Sequence, residues 1–181
     1  MESKDRNTLL AVEGGKNMTA FDTAWDLVKM PIIPGSIGEI DDGMEAQFHD
    51  PETNEIYPMV SEYDMYGLNT KIMDDDGKTL AINHISDHYS PEWKTSHAET
   101  KSGYTRRGLM TAVYNLVNEM AKKNNARLTT FPSQLNEYSA PFWAKHMELP
   151  YEGDERRSAH TKFQDDYRGI RLRWPYDGVH E

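Results

Sequence analysis

Between Leu109 and Met120 the apolar residues Leu109, Ala112, Val113, Leu116, Val117 and Met120 recur at steps of three and four. An α-helix gathers that spacing on one face. Asn115, Asn118, Glu119, Lys122 and Lys123 fall largely off the stripe. A helix with one apolar face needs a second layer to bury it, so the stripe calls for a partner surface elsewhere in the chain. Lys122 and Lys123 suit the negative end of the helix dipole, and the following "NNA" suits a left-handed cap.

The middle third supplies such a surface. "EAQFHDPETNEIYPMVSEY" reads as two extended arms around a turn at Asp50–Asn54, where Asp-Pro starts the turn. "LNTKIMDDDGKTLAINHI" repeats the plan around Asp76-Gly77, a hairpin signal. This predicts an antiparallel meander from Glu45 to about His84. "SDHYSPEWK" reads as a polar loop and "TSHAETKS" as a further short strand. After the helix, "ARLTTFPS" is expected to be a strand. "NEYSAPFWAKHM" is expected to be a second helix, capped by Asn136, with Pro141 near its first turn. "EGDERRSAHTKFQDD" reads as a charged loop and "YRGIRLRW" as the last strand.

Upstream, residues 1–18 read as a lead-in with a short strand at Thr8–Val12. "TAFDTAWDLVKMP" then predicts a helix, with Thr19 and Asp22 placed as a capping box. Phe21, Ala24, Trp25 and Val28 share one face, and Pro31 and Pro34 stop it. Trp25 is most simply a packing residue; a helix showing its apolar face to a partner is the other reading. The order of elements predicts an α+β fold with a mixed, mostly antiparallel sheet, as one domain over 19–181.

Composition narrows the function. Acidic residues outnumber basic ones 30 to 20, for a formal net charge of −10, which disfavours nucleic-acid backbones and favours cationic partners. There is no cysteine, hence no disulfide, thiolate metal site or Cys nucleophile. No apolar run approaches the ~18 residues of a membrane span. The charged start "MESKDRNTLL" lacks the apolar core of a signal peptide. A soluble, cytoplasmic protein is expected, either a monomer or a homodimer. His84 and His88 stand four apart, but in a segment that reads as strand end and loop. "DDDG" at 74–77 lacks the spacing of a calcium loop, so no metal site is expected.

The start of the long helix carries the functional signal. A helix N-terminus leaves about four backbone N–H groups without partners, at the positive end of the dipole. Glycine permits close backbone approach. Thr105, Arg106, Arg107 and Gly108, after a strand and before a helix, therefore form a candidate phosphate cradle. Loop arginines beside a turn glycine are the plainer alternative.

"YTRRGLMTAVYNLV" resembles the form "YRxRGLGTALYxxx" that opens the main helix of the GNAT superfamily of acyl-CoA-dependent N-acyltransferases. "NEYSAPFW" resembles the family's later Asn-x-x-Ala-x-x-Phe-Tyr, with Asn136, Ser139, Phe142 and Trp143 at the same spacing. The resemblance runs from about Thr95 to Met147. Four positions depart from it. Thr105 stands at the Gln/Arg position, Met110 at the second small position, Ser139 for Ala, and Trp143 for a Tyr that often acts as acid.

The resemblance implies a three-layer α/β/α domain and acetyl-CoA, or another acyl-CoA, as acyl donor. It implies a cradle of backbone N–H groups from Arg106 through Arg107, Gly108, Leu109 and Met110 to Thr111. The strand around His97–Thr100, including Ala98 and Thr100, would pair with the pantetheine arm. Asn136 and Phe142 would reach the donor from the second helix. The sheet would splay between that strand and "RLTTFPS", with the acyl group in the gap.

Acyl transfer needs a neutral amine, a polarised carbonyl and a proton for the leaving thiolate. Glu99, beside the implied thioester, is the first candidate base, and His97, on the same strand face, the second. The plainer reading of both is as solvated strand residues. Tyr138, then Tyr104, are candidate acids. The acceptor would be a small-molecule or protein amine, such as a polyamine, a lysine side chain or an aminoglycoside. The departures from the family pattern also support an alternative, a GNAT-like binding or structural module without catalysis. An acidic decoy for a nucleic-acid-binding protein is a third, weaker reading.

Overall fold

A computed structural model describes residues 38–40 and 43–174. The expected strand at Thr8–Val12 and the Trp25 helix lie outside the described residues.

The meander is present. Strands β1 (Gly38–Ile40), β2 (Gly43–His49), β3 (Ile56–Asp64), β4 (Gly67–Met73) and β5 (Thr79–Ile85) pair in sequence order, every neighbour antiparallel. The two expected turns close as the residues dictate. Asp50 exchanges backbone bonds with Asn54 and Glu55, and Asn54 takes a left-handed φ of 67°. Asp74 and Lys78 bracket Gly77, whose φ of 82° is cheapest for glycine. Alternation turns Phe48, Tyr57, Met59, Leu68 and Ile72 into the core.

Between β5 and the first helix the chain runs through β6 (Glu92–Trp93) and β7 (His97–Thr100). β7 adds to the meander beside β5, making six strands. β6 instead pairs in parallel with β8 (Arg127–Thr130), which pairs antiparallel with β9 (Leu172–Arg173). The segment 92–100 thus forks: its first part belongs to one sheet and its second to another. β6 lies in the segment expected to be polar loop. Trp93 decides otherwise, being fully buried with its indole N–H donated to the His88 carbonyl.

Helix α1 (Leu109–Lys123) lies over the meander, and its six stripe residues are buried. α2 (Ser139–His146) is capped as expected: Asn136 Oδ1 accepts the N–H groups of Tyr138 and Ser139 at 2.8 Å. The charged tail is a correction. Residues expected as loop form α3 (Arg156–Asp166), because Ala159 and Phe163, four apart, are buried and Glu155 and Ser158 make a reciprocal cap. Two buried residues among so many charges leave little pattern to read. The last strand is shorter than expected, since Gly169 turns the chain at φ 78° just before it.

The architecture is α+β, with a mostly antiparallel sheet and three helices among the described residues. No helix of the described residues is long and apolar enough to cross a membrane.

Candidate functional site

The loop before α1 is shaped by two left-handed residues, Arg106 at φ 61° and Gly108 at φ 88°, on either side of Arg107. Alternating backbone hands turn successive N–H groups inward into an anion-binding concavity. Gly108 is the N-cap and offers no side chain to the helix, and the first turn holds no acidic residue. The first intrahelical bond runs from Ala112 to the Gly108 carbonyl. The N–H groups of Gly108, Leu109, Met110 and Thr111 have no acceptor among the described residues. This is the positive end of a helix dipole with its donors free.

These residues open onto a cavity of about 650 Å³. Thr105, Arg106 and Gly108 form its loop wall, and Leu109, Met110 and Thr111 continue it along α1. Ala98, Glu99 and Thr100 of β7 form a second wall, and Asn136, Tyr138 and Phe142 a third. β7 is one of the two outer strands of the six, so one of its edges has no strand partner among the described residues. Met110, at the position where a small residue was expected, is half-buried in the wall, and the cavity persists beside it.

Two expected site residues are placed elsewhere. Arg107 is not at the cavity. Its guanidinium binds the fully buried carboxylate of Asp50 through Nε at 3.2 Å and through Nη2, and Nη1 donates to the Gly103 carbonyl at 3.0 Å. The Asp50 hydrogen bond raises the Arg107 pKa further above its ordinary value, burial opposing it. The Tyr104 ring lies 4.7 Å beneath the guanidinium. Arg107 therefore ties the cradle loop to the β2–β3 turn. His97 also lies outside the cavity lining, with its Nε2 3.5 Å from Glu99 Oε1. The two share a face, as strand spacing requires, but their side chains are 60% and 70% exposed.

Glu99 is a solvated carboxylate at the cavity wall, able to accept a proton from an amine. The Tyr138 ring is exposed and carries the Arg156 guanidinium at 4.6 Å. Lys145 of α2 joins Arg106 as a cation at the cavity; it was not foreseen, since a lysine near a helix end is ordinary.

Tyr114 was also missed. It lines the cavity and is only 3% exposed. It lies off the apolar stripe and packs edge-on against Phe142, Trp143 and Trp174. An aromatic residue opposite the stripe was the available signal that a second layer covers α1. Burial raises its pKa, while hydrogen bonds from Thr95, Trp143 and Asn83 pull the other way. His146, in the same aromatic group, meets Thr111 Oγ1 at 3.1 Å, and burial pushes its pKa down to about 3. No group of three or more His, Cys, Asp and Glu side chains among the described residues could hold a metal.

Set beside protein-family models, curated proteins and solved structures, the chain matches none of them.

Proposed function

We propose that the chain is an N-acyltransferase of the GNAT type, moving an acetyl or other acyl group from acyl-CoA to a primary amine by direct attack. One observation carries the reading. The uncapped start of α1, bent by Arg106 and Gly108, opens onto a cavity shared with an edge strand and with Asn136. A pyrophosphate needs clustered donors and no competing carboxylate, and the first turn of α1 meets both conditions. Arg106 and Lys145 add positive charge. The edge of β7, without a strand partner among the described residues, offers backbone groups to an extended amide-bearing arm. Glu99 then takes the proton released by the attacking amine. The three-layer arrangement and the GNAT order of elements belong to the same proposal.

A second reading, a module that binds acyl-CoA without transferring its acyl group, is supported by the solvent exposure of Glu99 and His97. It is also supported by the buried Trp143, which carries no acidic proton where the family often has a Tyr.

Calorimetric titration with acetyl-CoA tests both. Saturable binding is expected, and no detectable heat at millimolar donor would remove the two readings together. CoA release with a polyamine, a lysine peptide or an aminoglycoside separates transfer from binding alone.

A further inference from the structure

Among the described residues Asp50 is the only buried carboxylate. A buried charge costs stability unless partners satisfy it, so its place in the fold asks for a reason. Both carboxylate oxygens are engaged. Oδ1 accepts the Glu52 N–H at 2.9 Å, and Oδ2 accepts Arg107 Nε at 3.2 Å together with Nη2. The Asp50 backbone is held as well. Its N–H donates to the Glu55 carbonyl at 2.9 Å, and its carbonyl accepts the Asn54 N–H at 2.8 Å. A carboxylate held at both oxygens sets where its cation must stand. Glu52 adds a second carboxylate, 3.4 Å from Arg107 Nε.

Arg107 is held from the other side by its own loop. Its Nη1 donates to the Gly103 carbonyl at 3.0 Å, and its guanidinium lies 4.7 Å from the Tyr104 ring. The side chain thus braces residues 103–107 against the β2–β3 turn. Arg106, inside that braced segment, keeps a left-handed φ of 61°. Such a backbone is unfavourable for a residue with a Cβ and persists where surrounding contacts hold it. Arg106 lines the cavity, whereas neither Asp50 nor Arg107 does.

Resting on the acyltransfer reading, we propose that Asp50 is a positioning residue for the acyl donor. Acting through Arg107, it holds loop 103–108 in its bent form before the donor arrives. The donor then meets a wall already shaped, and its binding need not also bend the loop. The same contacts settle the charge of that wall. Asp50 and Glu52 answer the Arg107 cation within the protein, and Arg106 carries the charge that the loop offers to the cavity. The β2–β3 turn, 57 residues before Arg107 in the chain, is thereby part of the site without touching it.

Calorimetric titration with CoA, at a temperature where each chain is folded, tests this role. Asp50→Ala should weaken binding about tenfold, the effect of leaving one left-handed residue unsupported. Unchanged affinity overturns the proposal. So does tighter binding, which would make Arg107 an anion ligand that Asp50 withholds. Arg106→Gly separates positioning from a general loss of stability. In the otherwise wild-type chain it removes a cation at the cavity and should weaken binding. Beside Asp50→Ala its effect should be about threefold smaller, because glycine takes the left-handed backbone with no Cβ to oppose it. Equal effects in the two backgrounds overturn the assignment. If Asp50→Ala does not fold, Arg107→Lys takes its place, since it keeps the charge and loses the fork that reaches Asp50 and Gly103 together. The same outcomes then decide. If the wild type binds no CoA, the acyltransfer reading has failed and this role falls with it. Binding that the substitution at Asp50 or Arg107 leaves unchanged removes this role alone.

Discussion

The two principal walls of the cavity are built on opposite plans. The α1 wall presents backbone. Its donors are fixed by a buried helix, and its loop is tied by Arg107 to a fully buried carboxylate. The β7 wall presents side chains. It is the last strand of a sheet, and Glu99 and His97 stand in solvent. A function resting on the first wall would tolerate side-chain replacement: with Thr105 and Met110 in place, the N–H groups that open α1 still meet no acceptor among the described residues. A function resting on the second depends on single groups whose environment the fold holds only loosely.

That difference is broken most severely at the brace. Asp50→Ala leaves the Arg107 cation, 13% exposed, without its main partner. A loss of about 3 kcal/mol is expected from breaking a buried pair on one side. A denaturant midpoint unchanged from the wild type would show that the α1 wall does not depend on this tie. Asp50→Asn, which keeps the acceptor oxygen and loses the charge, should fall between the two.

Glu99→Gln attacks the other wall. Turnover with an accepted amine should drop by about 100-fold, the usual contribution of a positioned base. Stability should shift by less than about 0.5 kcal/mol, as for other exposed positions. Affinity for acetyl-CoA should be unchanged, because the proposed donor site lies on the opposite wall. A matching loss of affinity would show that the two walls do not divide the work.

The α2 side can be probed by pH. The His146 pKa falls from 6.5 to about 3 on folding, because burial and Lys145 disfavour the cation. The unfolded chain therefore binds the proton first as pH drops. The contribution is fully present above pH 6.5 and is lost from there down toward pH 3. The expected slope is about 1.4 kcal/mol per pH unit. Urea midpoints at successive pH values should show it, and His146→Gln should flatten it. An equal slope in that variant would assign acid sensitivity to the carboxylates instead.

Much of this organisation was legible from residue order. The α1 stripe, the turns at Asp50–Asn54 and Asp76-Gly77, and the Asn136 cap are local devices, and each formed as its residues required. The failures share a cause. α3 shows two buried residues amid charges, and β6 hides a core Trp93 in a polar stretch. In both, burial against distant segments overrode local composition. Arg107 illustrates the same limit at the site: beside Arg106 in sequence it has equal standing as an anion ligand. Its partner Asp50 is 57 residues away.

The sequence by itself determined the helix over a sheet and the glycine-marked start of that helix, because periodicity and turn chemistry act over a few residues. Only the tertiary structure decided which groups meet. It sent Arg107 to Asp50 and left Arg106 at the cavity, forked 92–100 between two sheets, and buried Tyr114 in the cavity lining. Those outcomes depend on contacts between residues far apart in the chain, which no local pattern records.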